Sequence, residues 1–250
     1  MSAIEVATAV PSRPGRLASL ITLYRLLLRT QISIPRLLGI AGLGALSLLI
    51  GLFARWDANP DQAAADAILG YGLGILVPVS TLWLATSAIG DLVEDRLLVY
   101  LSLKPVPRWQ LPLAAVLAPF TVIVPLAVLP LAASALVAGA TNVAGPALLA
   151  ALLAALAYAG LFAAAGLWFR RAIWWGLAFV LIWENAVAYS VHGAARFTVI
   201  GWASSILGLA PDVDVQLDAG SAAAAFVVLV AIAVAGWLAA TWRYGRVDID

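Results

Sequence analysis

Long apolar runs broken by short polar connectors dominate this chain, and their spacing predicts helices that cross a bilayer. The runs fall at roughly 37–54, 67–90, 111–138, 146–169, 172–190 and 222–241, giving six spans. The first is rich in glycine (Gly39, Gly42, Gly44, Gly51), which suits close packing of helices. The third carries Pro112, Pro119, Pro125 and Pro130, so it should be bent, with its freed carbonyls shielded by protein. A polar segment, RWDANPDQAAAD, reads as the loop between the first two spans, and ATNVAG as a minimal turn between the third and fourth. Residues 191–221 are too polar and too short-patterned to span. Their apolar part, ARFTVIGWASSILGLA, reads as a re-entrant or surface helix ahead of an acidic loop, PDVDVQLDAG.

Ahead of the first span, residues 15–34 alternate with helical period. Arg25, Arg29 and Arg36 fall on one face, opposed by Leu20, Leu23, Leu27 and Ile34. This pattern predicts an amphipathic helix over 15–36, lying in the headgroup layer or extending the first span, with Pro35 favouring a break. Residues 1–14 contain no apolar core of a signal peptide and read as a disordered lead. The fold class is therefore an all-α membrane protein: an interfacial helix followed by a six-helix domain over 37–250.

Charge fixes the expected orientation. If successive runs cross, Arg13, Arg16, Arg25, Arg29, Arg36, Arg96, Lys104, Arg108, Arg170, Arg171, Arg243 and Arg246 share one side, and only Arg55 and Arg196 lie on the other. Basic side chains resist translocation, so the rich side should be the cytoplasm, with both termini there, as in a multi-pass protein of a bacterial cytoplasmic (inner) membrane. The composition agrees: 64% of the chain is hydrophobic, 11% is charged, and the mean hydropathy is +1.03. With no cysteine, disulfides, thiolate metal sites and cysteine nucleophiles are excluded. The scattered basic residues form no nucleic-acid footprint. The zinc-protease pattern H-E-x-x-H and the phosphate loop G-x-x-x-x-G-K-[ST] are both missing, so no metal site and no catalytic residue is expected.

Two places could carry function. Glu184 lies mid-span beside Asn185, and an ionisable group at that depth faces protein or water. Either it borders a substrate pathway, with Asn185 as a neighbour, or it is a hydrogen-bonded glutamate tying helices together. The other place is the connector after the second span, DLVEDRLLVYLSLKPVPRWQ. It opens with Asp91, Glu94 and Asp95, continues through Leu97, Leu98, Leu101 and Leu103, and closes on Lys104-Pro-Val-Pro-Arg108.

That connector, set between the second and third of six spans, resembles the ABC type-2 permease family, the membrane subunits of ATP-binding-cassette exporters. Glu94 matches the acidic position, Leu98 and Leu101 the leucine positions, and Pro105, Val106 and Arg108 the turn before the third span. Arg96-Leu97, Val99 and Pro107 depart from the pattern. The resemblance extends over nearly the whole chain. It implies that the connector is a coupling helix docking on a separate ATPase, with Asp91, Glu94, Asp95, Arg96 and Arg108 in interface ion pairs and Leu97, Leu98 and Leu101 as apolar anchors. It also implies two ATPase copies holding ATP and Mg, with no cofactor on this chain, and a second permease chain, identical or paralogous. The cargo would be amphipathic or hydrophobic. A proton-coupled secondary transporter using Glu184, and a non-transporting scaffold subunit, are the competing expectations.

Overall fold

The computed structural model describes residues 16–94, 107, 109–169, 171–190, 193–211, 213–215, 217 and 219–246, with 16 and 89–94 described by their backbone. Among the described residues the chain is helical, without strands. The helix α1 (Arg16–Gln31) is followed, after a break at 32–33, by α2 (Ile34–Ala54). The next helix, α3, joins Pro60–Ala67, a π-helical stretch Ile68–Leu76 and Val77–Glu94. In α4, Gln110–Ile123 and Leu129–Ala138 are joined by a π-helical turn Val124–Val128, and α5 spans Thr141–Trp168. The sixth helix, α6, joins Ala172–Ala178, a π-helical stretch Phe179–Val187 and Ala188–Ser190. A 3₁₀ turn (Ala194–Phe197) leads to the short α7 (Val199–Leu207), and α8 (Ala222–Tyr244) follows. Six of these helices (α2, α3, α4, α5, α6 and α8) are long and apolar enough to cross a membrane.

Two boundaries differ from the pattern-based expectation. The second span starts at Pro60, not near 67, because Asn59 caps the helix by accepting from the Gln62 backbone N–H at 3.3 Å and Pro60 fits the first turn. Hydropathy hides this turn, since PDQAAAD is polar. The turn after α4 shrinks to Gly139 and Ala140: Gly139 takes φ +88°, ends the helix left-handed, and lets α5 begin at Thr141. The proline-rich third span is locally widened, with a π-helical turn beginning next to Pro125.

The core is organised around α3 and α5, whose most apolar windows are each 67% buried, against 28% for α2 and α6 and 22% for α8. Helix α5 is apolar on every side and small-sided (Ala150, Ala151, Ala154, Ala155 and Ala157 are all buried), so neighbours approach it all round. Small residues set the crossings. A side chain on Gly160 would meet the Ala233 backbone of α8, and one on Gly236 would meet Gly160, so α5 and α8 touch backbone to backbone. Gly44 and Gly51 likewise admit the carbonyls of Leu126 and Ser134 on α4. Gly42 has open space around it and takes no part.

At the end bearing the arginines, hereafter the basic end, α1 packs Leu23 and Leu27 against Leu111, Ala114, Ala115 and Val116 of α4. Ser19 Oγ donates to Gln110 Oε1 at 2.7 Å, and Tyr24 Oη to Thr121 Oγ1 at 3.0 Å. Arg25 and Arg29 remain exposed, as the amphipathic pattern requires; Arg36, half-buried, donates to the Thr30 carbonyl at 3.4 Å. Ile34 does not belong to that apolar face. The break at 32–33 moves it to the start of α2, where it is 75% exposed.

Candidate functional site

The polar centre of the molecule lies at the far end, opposite the basic end, where the chain between α6 and α8 folds back over the bundle. Glu184 sits in the π-helical stretch of α6 and is 1% exposed. Its carboxylate accepts three hydrogen bonds. Oε1 accepts from Val199 N at 3.0 Å; Oε2 accepts from Ile200 N and from Tyr158 Oη, both at 2.9 Å. Val199 and Ile200 open α7, whose first amides have no partners within the helix. Thr198, the N-cap, supplies the next acceptor: its Oγ1 takes the Gly201 N–H at 3.1 Å and donates to the Ala195 carbonyl at 2.9 Å. Three successive amides of α7 are thus satisfied by two side chains, and the carboxylate sits at the positive end of the helix.

Asn185 turns inward as well. Its amide donates to the Val180 carbonyl at 2.8 Å and to the Gly74 carbonyl of α3 at 3.0 Å. A regular helix would set neighbours 184 and 185 about 100° apart, on different faces. The wider π-helical turn frees carbonyls such as Val180 O for side chains to reach, and such bulges recur where function needs irregular backbone. Gly74 lies in the π-helical stretch of α3, and a side chain there would meet Asn185 Oδ1 at 2.8 Å. The two π-helical stretches therefore face each other through one amide.

The rest of the far-end cap is pinned in the same manner. Gln62, at the start of α3, donates from Nε2 to the Asp214 carbonyl and accepts from Asp214 N at Oε1, both at 2.9 Å. Trp183 Nε1 donates to the Phe197 carbonyl at 3.1 Å and Trp202 Nε1 to the Arg196 carbonyl at 2.9 Å. Ser204 Oγ bonds the carbonyls of Gly201 and Leu217. Helix α7 is itself buried, with Ile200 and Leu207 inaccessible. The segment between α6 and α8 is thus a buried cap, fastened to α3, α5 and α6.

Of the residues singled out in the sequence, Glu184 comes together with Tyr158 and the amides of Val199 and Ile200, and Asn185 with the carbonyls of Gly74 and Val180, while Thr198 caps the same helix and Gln62 pins the loop beyond it. Thr198 before an apolar run was a readable N-cap; Gln62, 152 residues from its partner, had no signal. Glu184 adopts the geometry of a glutamate tying helices together, with its oxygens turned into protein. In the connector, α3 continues as helix past Asp91 to Glu94. Asp95, Arg96, Leu97, Leu98, Leu101, Pro105 and Arg108 lie outside the described residues, as does the 1–14 lead. No protein-family model matches the chain, and no curated protein matches its sequence.

Proposed function

We propose that this chain is the membrane-spanning subunit of an exporter of the ABC type-2 permease kind, moving an amphipathic or hydrophobic cargo out of the cytoplasm with ATP hydrolysed by a separate ATPase. The observation that carries this reading is an asymmetry of the bundle. An amphipathic helix with exposed arginines is packed against α4 at one end, and a buried plug closes the other, between the last two spans. The first is the kind of surface a cytoplasmic partner can push; the second is the kind of element a gate is made from.

In this reading the basic end and both termini face the cytoplasm of a bacterial inner membrane. The 91–108 connector and α1 are the two contacts with the ATPase: Leu97, Leu98 and Leu101 anchor it, and Asp91, Glu94, Asp95, Arg96 and Arg108 orient it. Two ATPase copies, carrying ATP and Mg, drive a pair of permease chains whose facing surfaces enclose the path. Helices α2 and α6, each with 28% of its apolar window buried, have the exposed faces such a pairing uses. Glu184 joins α7 to α6, and Tyr158 joins both to α5, so the plug moves as one piece with α6. Glu184 is a gate-positioning residue in this account, and cargo meets α6 on its opposite face.

The competing reading, proton-coupled transport through Glu184, draws on the same buried carboxylate. Flux of an amphipathic dye into inverted membrane vesicles separates the two. Uptake that requires ATP and the co-expressed ATPase, and is lost in Leu98→Asp/Leu101→Asp, supports the exporter. Uptake that follows a pH gradient without any ATPase overturns it.

A further inference from the structure

At the basic end, the joint between α5 and α6 combines features that elsewhere in the molecule are kept apart. Adjacent residues Trp168 and Phe169 take opposite sides of the end of α5. Trp168 meets Trp242 of α8, ring centroids 6.2 Å apart, with the Arg246 guanidinium 4.0 Å from the Trp242 ring: that side is closed. Phe169 instead meets Trp175 of α6 at 5.9 Å, and behind this pair lies an open cleft of about 190 Å³, lined by Leu161, Phe162, Ala165, Phe169, Trp175 and Phe179. Its walls are almost wholly apolar. A side chain on Gly176 would meet Leu82, so α6 is pressed onto α3 there and diverges from α5 on the cleft side. The space suffices for roughly six groups the size of water or a methylene, at about 30 Å³ each.

The mouth of this cleft is cationic. Arg170 and Arg171 follow Phe169 directly, and Arg171 is exposed in the turn that joins the two walls. Trp174 and Trp175, 68% and 64% exposed, stand beside it as interfacial tryptophans do. The first turn of α6 has no side-chain cap. A narrow apolar slot opening at headgroup depth beside the exposed Arg171 matches one occupant: an acyl chain whose own headgroup carries a phosphate and a net negative charge.

We propose that the α5–α6 joint is a specific site for one anionic phospholipid of the adjoining leaflet, its acyl chain between Phe162, Phe169 and Trp175 and its phosphate at Arg171. Bound there, the lipid fills the gap on the side of α6 away from α3 and steadies the same helix that holds Glu184 at its other end. The site needs only that the bundle sits in a bilayer, so it stands or falls independently of the transport reading.

Native mass spectrometry of the protein in mild detergent, together with any ATPase that co-purifies, tests this with dioleoylphosphatidylglycerol and dioleoylphosphatidylcholine as probes. One phosphatidylglycerol per permease chain should be retained, roughly tenfold or more in preference to phosphatidylcholine. Arg171→Ala should bring the two lipids to equal retention, and Ala165→Phe, which fills the slot, should lower retention of both. Equal retention by the unmodified protein overturns the proposal without recourse to variants. So does retention indifferent to Ala165→Phe, or a co-purifying mass at the site that is cargo and no phospholipid.

Discussion

The two ends of the bundle differ in how completely their buried polar groups are paired. At the far end every polar side chain that holds the plug is matched: Glu184 with three donors, Thr198 with one donor and one acceptor, Gln62 with both backbone groups of Asp214. At the basic end, where α1 turns into α2, the fully buried Gln31 has neither amide atom paired among the described residues, nor has the Ser33 hydroxyl beside it a partner among them. Both cost free energy on folding, but only the first is recovered, because a buried donor or acceptor is neutral at best when paired and expensive when orphaned. The far end is thereby held by a connected set of polar contacts, while the α1–α2 joint carries unpaired polar groups beside the apolar packing of Leu23 and Leu27 and the Ser19–Gln110, Tyr24–Thr121 and Arg36–Thr30 hydrogen bonds.

The largest effect should come from Glu184→Ala, which strands two amides and a phenol in the bundle. At about 1–3 kcal/mol for each orphaned donor, the purified protein should lose several kcal/mol and melt well below the parent in a thermal unfolding assay. A melt unchanged by this substitution would break the comparison at its stronger side. Glu184→Gln keeps the acceptor oxygen but turns an NH2 toward donors. It should fall between the two, with reduced transport and intact association with the ATPase.

The opposite sign is expected at the basic end. Gln31→Leu replaces an unpaired buried amide with an apolar side chain of similar size, so it should raise stability by about 1–2 kcal/mol, read in the same melt. Destabilisation there would mean that the amide has a partner after all. Thr198→Ala removes only the third cap of α7 and should cost about 1 kcal/mol. Gln62→Ala releases the loop around Asp214 from α3. In an exposed setting this should cost about 0.5–1.5 kcal/mol or less, seen as faster hydrogen exchange over 213–219 with no global change.

Hydropathy made the six long apolar helices legible because lipid demands an unbroken apolar stretch. The start of α3 escaped because its first turns are polar and only the Asn59–Pro60 cap marks them. Glu184 stood out as an isolated charge, but its partners did not. Tyr158 is 26 residues away and the α7 amides 15 and 16, and a π-helical turn carries no hydrophobic period that would show which way residue 184 faces. Glycine count was an equally partial guide: Gly39, Gly44 and Gly51 meet neighbouring helices while Gly42 does not, because a close approach occurs only where the partner's backbone or a bulky ring crosses.

Purification of a tagged copy from its native membrane in mild detergent, followed by identification and stoichiometry of what accompanies it, addresses the division of labour most directly. The account predicts an ATP-binding-cassette ATPase at one copy per permease chain, released by Leu98→Asp/Leu101→Asp but retained by Glu184→Gln. A chain that elutes without any nucleotide-hydrolysing companion, yet moves cargo in sealed vesicles, would contradict it.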